Sequence, residues 1–312
     1  MFRSILVPLD GSPFAEHALP YARAIARSSG AELLLVTVST PLAEAYVEGL
    51  YFSSMELEQE LTARHRAYLE DVTRRLGTSG DVKVRTDVRH GEVAATLSGI
   101  VENGEADLAV MATHGRGAIG RFWFGSVADE MIGQTHVPLL FVRPTSEKPN
   151  LEIEPDLTRI VIPLDGSGEA EHILDHVTQL ARVIPKAEVI LVRAIRAIIP
   201  VETAPDVPEA EREARTLLKQ VQTLQHKLRS EAQQYLDEIS VHMRTRGLTV
   251  QTQVVVEDDP AVAILQEAES CKAGFIALET HGRHGISRLI QGSIADKVLR
   301  GSHIPVMVHR SK

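Results

Sequence analysis

The chain writes one phrase twice. "THGRGAIGRFWFGS", from Thr113 to Ser126, and "THGRHGISRLIQGS", from Thr280 to Ser293, share Thr-His-Gly-Arg, an isoleucine, an arginine and a closing Gly-Ser. In both copies nine residues separate the shared glycine, Gly115 or Gly282, from the Gly-Ser pair. Core packing does not ask for such a spacing, whereas a bound anion does. A glycine admits positive φ and lets backbone come close to a ligand. Gly125-Ser126 and Gly292-Ser293 each open an amphipathic stretch, "SVADEMIGQ" in the first copy. A helix start there presents unpaired N–H groups and the positive end of the helix dipole, a setting for phosphate. The serine hydroxyl either caps that helix or donates to a phosphate oxygen. His114 and His281 stand beside the same position as hydrogen-bond donors, and Arg116 and Arg283 as phosphate-reaching or solvated cations. His114 has no second His or carboxylate at ligand spacing, which speaks against a metal site or a catalytic pair there.

The surroundings of these loops repeat as well. "ILVPLDGSPFAEHALPYARAIA" from Ile5 returns as "IVIPLDGSGEAEHILDHVTQLA" from Ile160, and "HVPLLFVRP" from His136 returns as "HIPVMVHR" from His303. The period is far longer than a solenoid repeat, so the chain reads as two domains, 1–146 and 156–312. Their seam is the polar, proline-bearing "PTSEKPNLEIEP", Pro144 to Pro155. Short apolar runs such as "SILVPLD", "ELLLVTV", "DLAVMAT" and "PLLFVRP" lack clean alternation, the pattern of strands covered by helices on both faces. Amphipathic stretches lie between them, one closed by Gly30 and one opened by a capping box, Ser53 to Glu56. The expected fold is α/β: two tandem, doubly wound, five-stranded parallel sheets of Rossmann-like type. In such a sheet a ligand sits at the carboxyl ends of the strands where the winding reverses. There the loop after the first strand, with Asp10 or Asp165, meets the loop after the fourth. The second half also carries a long helix, about 209–246, whose apolar positions Leu217, Val221, Leu224 and Leu228 through Met243 step by three or four. It reads as a cover helix packed on its own sheet.

Composition narrows the function. The 312 residues carry a formal charge of −9, and no basic patch is visible, so nucleic acid and membrane surfaces are not expected partners. No apolar run approaches the roughly 18 residues of a membrane span, and the N-terminus reads into a strand rather than a signal peptide. A single cysteine, Cys271, leaves no internal disulfide and no multi-cysteine zinc site. A cytoplasmic protein is expected. "GRGAIG", with Gly115, Gly117 and Gly120, satisfies a dinucleotide fingerprint but follows the fourth strand, and "GRHGIS" breaks it. Neither a P-loop nor a nucleophile elbow occurs.

With these residues in place, the chain resembles the universal stress protein family in its tandem, two-domain form, over nearly its whole length. The family signature is Gly, two residues, Gly, nine residues, then Gly and Ser or Thr. Gly115, Gly125 and Ser126 match it with Ala112 in the leading position; Gly282, Gly292 and Ser293 match it with Glu279 there. The resemblance implies strand order 3-2-1-4-5 and pairing of the two domains through their fifth strands as an intrachain pseudo-dimer. A homodimer of whole chains is left open. It also implies an adenine nucleotide, ATP, ADP or AMP, with or without Mg2+. The aspartate then lies by the base, with the backbone of Val38 or Ala194 beside it. The expected first site is Pro8, Leu9, Asp10, Val38, Met111, Ala112, His114, Gly115, Arg116, Gly125, Ser126 and Val127. A weaker second site comprises Asp165, Ala194, Gly282, Gly292 and Ser293.

An asymmetry follows. Ala112 adds only a methyl group, whereas Glu279 would set a carboxylate beside a polyphosphate if it faces the crevice. At about 5 Å and an effective dielectric near 20, that pair costs roughly 3 kcal/mol, about a hundredfold in affinity. Three functions are compatible with the residues. A regulator whose nucleotide occupancy sets its partners is favoured. A slow ATPase or nucleotidyl-transfer enzyme lacks an evident general base. A nucleotide-free scaffold would not need the intact first-half constellation.

Overall fold

The computed structural model describes residues 2–40, 46–47, 50–51, 54–77, 80–113, 125–145, 148–198, 208–280 and 293–311. Strands β1 (Ser4–Pro8) and β2 (Glu32–Ser39) flank helix α1 (Leu19–Ser29), which a left-handed Gly30 ends at φ 72°. A two-residue ribbon, β3 (Tyr46–Val47) and β4 (Leu50–Tyr51), precedes helix α2 (Ser54–Leu76), one residue past the expected capping serine, which lies outside the described residues. Strand β5 (Val84–His90), α3 (Val93–Glu102), β6 (Leu108–Ala112), α4 (Ser126–Gln134) and β7 (Leu139–Val142) complete the first half. The second half repeats the plan. It runs β8 (Arg159–Pro163), α5 (Ile173–Ala181), β9 (Glu188–Ile195), α6 (Pro208–Thr245), β10 (Thr249–Val256), α7 (Pro260–Ser270), β11 (Phe275–Glu279), α8 (Ser293–Gly301) and β12 (Val306–His309).

Each half orders its strands 3-2-1-4-5, all parallel, and helices cover both faces. The two sheets are nevertheless one. β7 and β12 pair antiparallel, Leu140 opposite Met307, and produce a ten-stranded sheet running β10-β9-β8-β11-β12-β7-β6-β1-β2-β5. Successive strand residues point to opposite faces, so Ile5 and Val7 join one core with α1, α2, α5 and α6. Leu6 joins the other, with α3, α4, α7 and α8. Both cores cross the seam. The polar linker is also tied down: Leu151 and Leu157 are buried, and Arg23 donates to the Leu151 carbonyl at 3.1 Å. Gly274 permits this, because a β-carbon there would lie 2.3 Å from the Asp156 carbonyl oxygen.

One expectation about α6 needs correcting. Ala232, Leu236 and Met243 are buried, but Leu217 and Leu224 stand 46% and 49% exposed. At 1.5 Å per residue the 38-residue helix is about 57 Å long, against about 26 Å for its eight-residue neighbours β9 and β10. Its N-terminal half therefore overhangs the sheet it was expected to cover.

Candidate functional site

The site begins where β1 ends. Pro8 closes the strand against Val36, the Leu9 N–H donates to the Val36 carbonyl at 2.8 Å, and Asp10 follows into a turn. Gly11 takes φ 82°, a left-handed conformation that L side chains rarely adopt. Asp10 Oδ1 accepts from the Ser12 N–H at 2.9 Å and from its hydroxyl at 2.6 Å, and Ser12 Oγ in turn accepts from the Ala15 N–H at 3.3 Å. The aspartate thus shapes its own loop. Val38 lies half-buried near the end of β2, beside this loop.

From the other side, buried Met111 and Ala112 end β6, which pairs with β1. The chain returns at Gly125, whose N–H donates to the Thr113 carbonyl at 2.8 Å. A β-carbon on Gly125 would meet that oxygen at 3.1 Å, so the glycine is where the loop closes on itself. Gly125, not Ser126, is the N-cap of α4, and no side chain caps the helix. Ser126 and Val127 are its first two residues, and their amides have no intrahelical acceptor. The β1 loop and the α4 start therefore converge where the sheet reverses direction, between β1 and β6. His114, Gly115 and Arg116, with His281, Gly282, Arg283 and Gly292, lie outside the described residues.

Behind Asp10 is a polar cluster that sequence reading missed. Buried Glu16 accepts from the Tyr68 hydroxyl at 3.1 Å and from both terminal nitrogens of Arg75 at 2.9 and 2.8 Å. Burial, then Glu16 and Asp10, pushes the Tyr68 phenol far above its ordinary range, so it remains a neutral donor. The signal was present: Ala-Glu-His recurs in both halves, as Ala15–His17 and Ala170–His172.

The second crevice is built alike and filled differently. Asp165 makes the same turn with Ser167, at 2.9 and 2.6 Å, around Gly166 at φ 91°. Tyr235 donates to Glu171 at 2.9 Å, its phenol raised by burial and by that carboxylate. Ala194 occupies the place of Val38, and Ser293 begins α8.

Glu279 does not face this crevice. Its side chain is buried, with Oε2 2.8 Å from His309 Nδ1 and Oε1 accepting the Ser311 N–H at 2.6 Å. His309 Nε2 lies 3.2 Å from the His136 carbonyl oxygen in the first half. Both ring nitrogens therefore face oxygen atoms, one on each side of the seam. The carboxylate is thus turned into the seam, and the electrostatic penalty expected at the second site has no basis. His136 and His303 also serve the seam, His136 Nδ1 at 3.2 Å from the Arg310 carbonyl and His303 Nδ1 at 3.1 Å from Arg143.

The sequence matches the universal stress protein family over residues 1–143 and 157–310. The chain belongs to that family. A universal stress protein of Mycolicibacterium smegmatis is 27% identical over 99% of this chain and 97% of its own length. The Mycobacterium tuberculosis universal stress protein Rv1996 is 24% identical over 98% of this chain and 94% of its own. Among solved structures, a universal stress protein from Archaeoglobus fulgidus superposes with a TM-score of 0.67 at 17% identity, covering 98% of this chain and 96% of that one. The family match therefore accounts for both halves, and the solved neighbour for the tandem fold. Among the described residues no helix is long and apolar enough to cross a membrane.

Proposed function

We propose that the protein is a stress-response regulator that binds an adenine nucleotide, ATP, ADP or AMP, in its first half and does not turn it over efficiently. The observation that carries this reading is the convergence of the Asp10 loop and the uncapped start of α4 at the point where strand order reverses. The residues present fit such a ligand. The amides of Ser126 and Val127 offer donors to phosphate oxygens, and Gly125 lets the chain close on the Thr113 carbonyl where they begin α4. Asp10 and the backbone of Val38 flank the base side. Any Mg2+ would arrive on the phosphates, since no cluster of three His, Cys, Asp or Glu is placed to hold a metal among the described residues.

The two carboxylates at this end of the first sheet are already engaged. Asp10 Oδ1 is engaged by Ser12, and Glu16 is gripped by Tyr68 and Arg75. Occupancy, rather than turnover, is the output such a site can deliver, read by partners through the surface around the crevice. The direct test is mass spectrometry of small molecules released on denaturing the freshly purified chain, paired with an ATP hydrolysis assay. An adenine nucleotide near one per chain, with turnover well below the typical enzyme value of about 10 s⁻¹, is expected. A rate of that order abolished by Asp10→Ala would replace this reading with an ATPase. No released nucleotide and no thermal shift with ATP would replace it with a scaffold.

A further inference from the structure

The two crevices differ in charge at one position of the second strand. Val36 pairs with Pro8 in the first half and Val192 with Pro163 in the second, so Thr37 of β2 and Arg193 of β9 occupy equivalent places. Each stands between the strand-end loop and the residue expected beside the base. Thr37 is buried at 2% exposure, and its hydroxyl has no hydrogen-bond partner among the described residues. Arg193 instead reaches back over the Asp165 turn. A β-carbon built on Gly166 would lie 2.8 Å from its Nη2 and 3.1 Å from its Cζ, so the guanidinium rests against the glycine backbone. The same group sits 5.0 Å from the centroid of the Tyr235 ring.

The arginine has a counterpart elsewhere in the first half. Seven residues after Tyr68 stands Arg75, which grips Glu16 from within α2. Seven residues after Tyr235 stands His242, whose Nδ1 contacts its own helix at the Glu238 carbonyl, 3.0 Å away. The cation beside the second tyrosine–glutamate pair therefore comes from the strand and lies against the Asp165 turn.

We propose that this position decides which half takes a nucleotide base. Arg193 fills the base side of the second crevice with the chain's own flat cation, stacked on Tyr235 as a base would stack. Thr37, short, uncharged and buried, sets no such cation over the Asp10 turn of the first crevice. The second half is then a self-occupied copy, which rests on reading the first half as an adenine-nucleotide site.

Calorimetric titration of the intact chain with ATP and with ADP tests this in wild type, R193T, R193A and T37R, with circular dichroism to show that each variant is folded. Wild type should bind one nucleotide, R193T and R193A two, and T37R none. The second site should gain at least tenfold in affinity on removal of the guanidinium. One site in wild type and still one in both Arg193 variants overturns the proposal and leaves the first-half reading standing. Two sites in wild type overturn it as well. No site in wild type with one in R193T upholds the blocking role of Arg193 and overturns the first-half reading. No binding by any variant overturns both.

Discussion

A β-carbon at Gly125 would press on the Thr113 carbonyl oxygen that its own N–H bonds. The β-carbon alone is already tight at 3.1 Å, so Gly125→Val should shift the start of α4 away from β6 and displace the phosphate-facing amides. The expected result is loss of the ATP-induced thermal shift with helix content retained; an undiminished shift would show that the ligand lies elsewhere. His176 makes a second prediction. Its ring lies 4.1 Å from that of His309, and burial, then the charge on His309, lowers its pKa from 6.5 to about 4, against the opposing pull of Asp175. The folded value is below the unfolded one, so the unfolded chain takes the proton first and stability falls as pH drops from 6.5 towards 4. One proton sets a ceiling of about 1.4 kcal/mol per pH unit. His176→Tyr, the residue type of Tyr21 in the first half, should flatten the melting temperature over that range. An unchanged slope would mean that carboxylates elsewhere govern acid stability.

At the scale of elements, the strands that meet at the seam differ from those at the sheet's outer edges. All four residues of β7 are buried, and so are those of β12. The outer strand β5 instead has no buried position, and β10 only Val250 and Val254, with Arg85, Asp87, Arg89 and several threonines and glutamines along the two. Polar edges resist pairing with other chains, whereas an open apolar edge invites it. Residues 1–146 expressed alone should therefore dimerise through β7, a second copy taking the place of β12. Sedimentation that finds a stable monomer at micromolar concentration would count against this. Phe141→Lys in the same fragment, placing a charge where Val306 now pairs, should weaken the dimer.

For the whole molecule, the continuous sheet and the two cores that cross it predict coupled halves. Polar contacts add to the apolar one: Glu279 and His309 reach the first half through the His136 carbonyl. Heating should give one cooperative transition rather than two. A ligand at about 100 times its dissociation constant stabilises the folded state by about 2.7 kcal/mol. Bound in the first half, it should move that single transition upward. Differential scanning calorimetry showing a second-half transition that ignores the ligand would separate the halves.

Much of this was legible in the order of residues, because its causes are local. Duplication is written in "PLDGS" and "THGR", strand and helix periods in the spacing of apolar residues, and the convergence of two loops follows from the parallel order itself. Side-chain direction was not legible. Glu279 ends a strand, and whether it faces the crevice or the seam depends on His309, thirty residues on, offering it a proton within 2.8 Å. Arg193 reads as an ordinary strand residue until Gly166 and Tyr235, distant in sequence, form the slot that holds it. Local chemistry in the sequence determined the scaffold and the place of the site. Only tertiary packing decided which side chains enter it, because a buried charge goes to whichever partner the fold brings within hydrogen-bond reach.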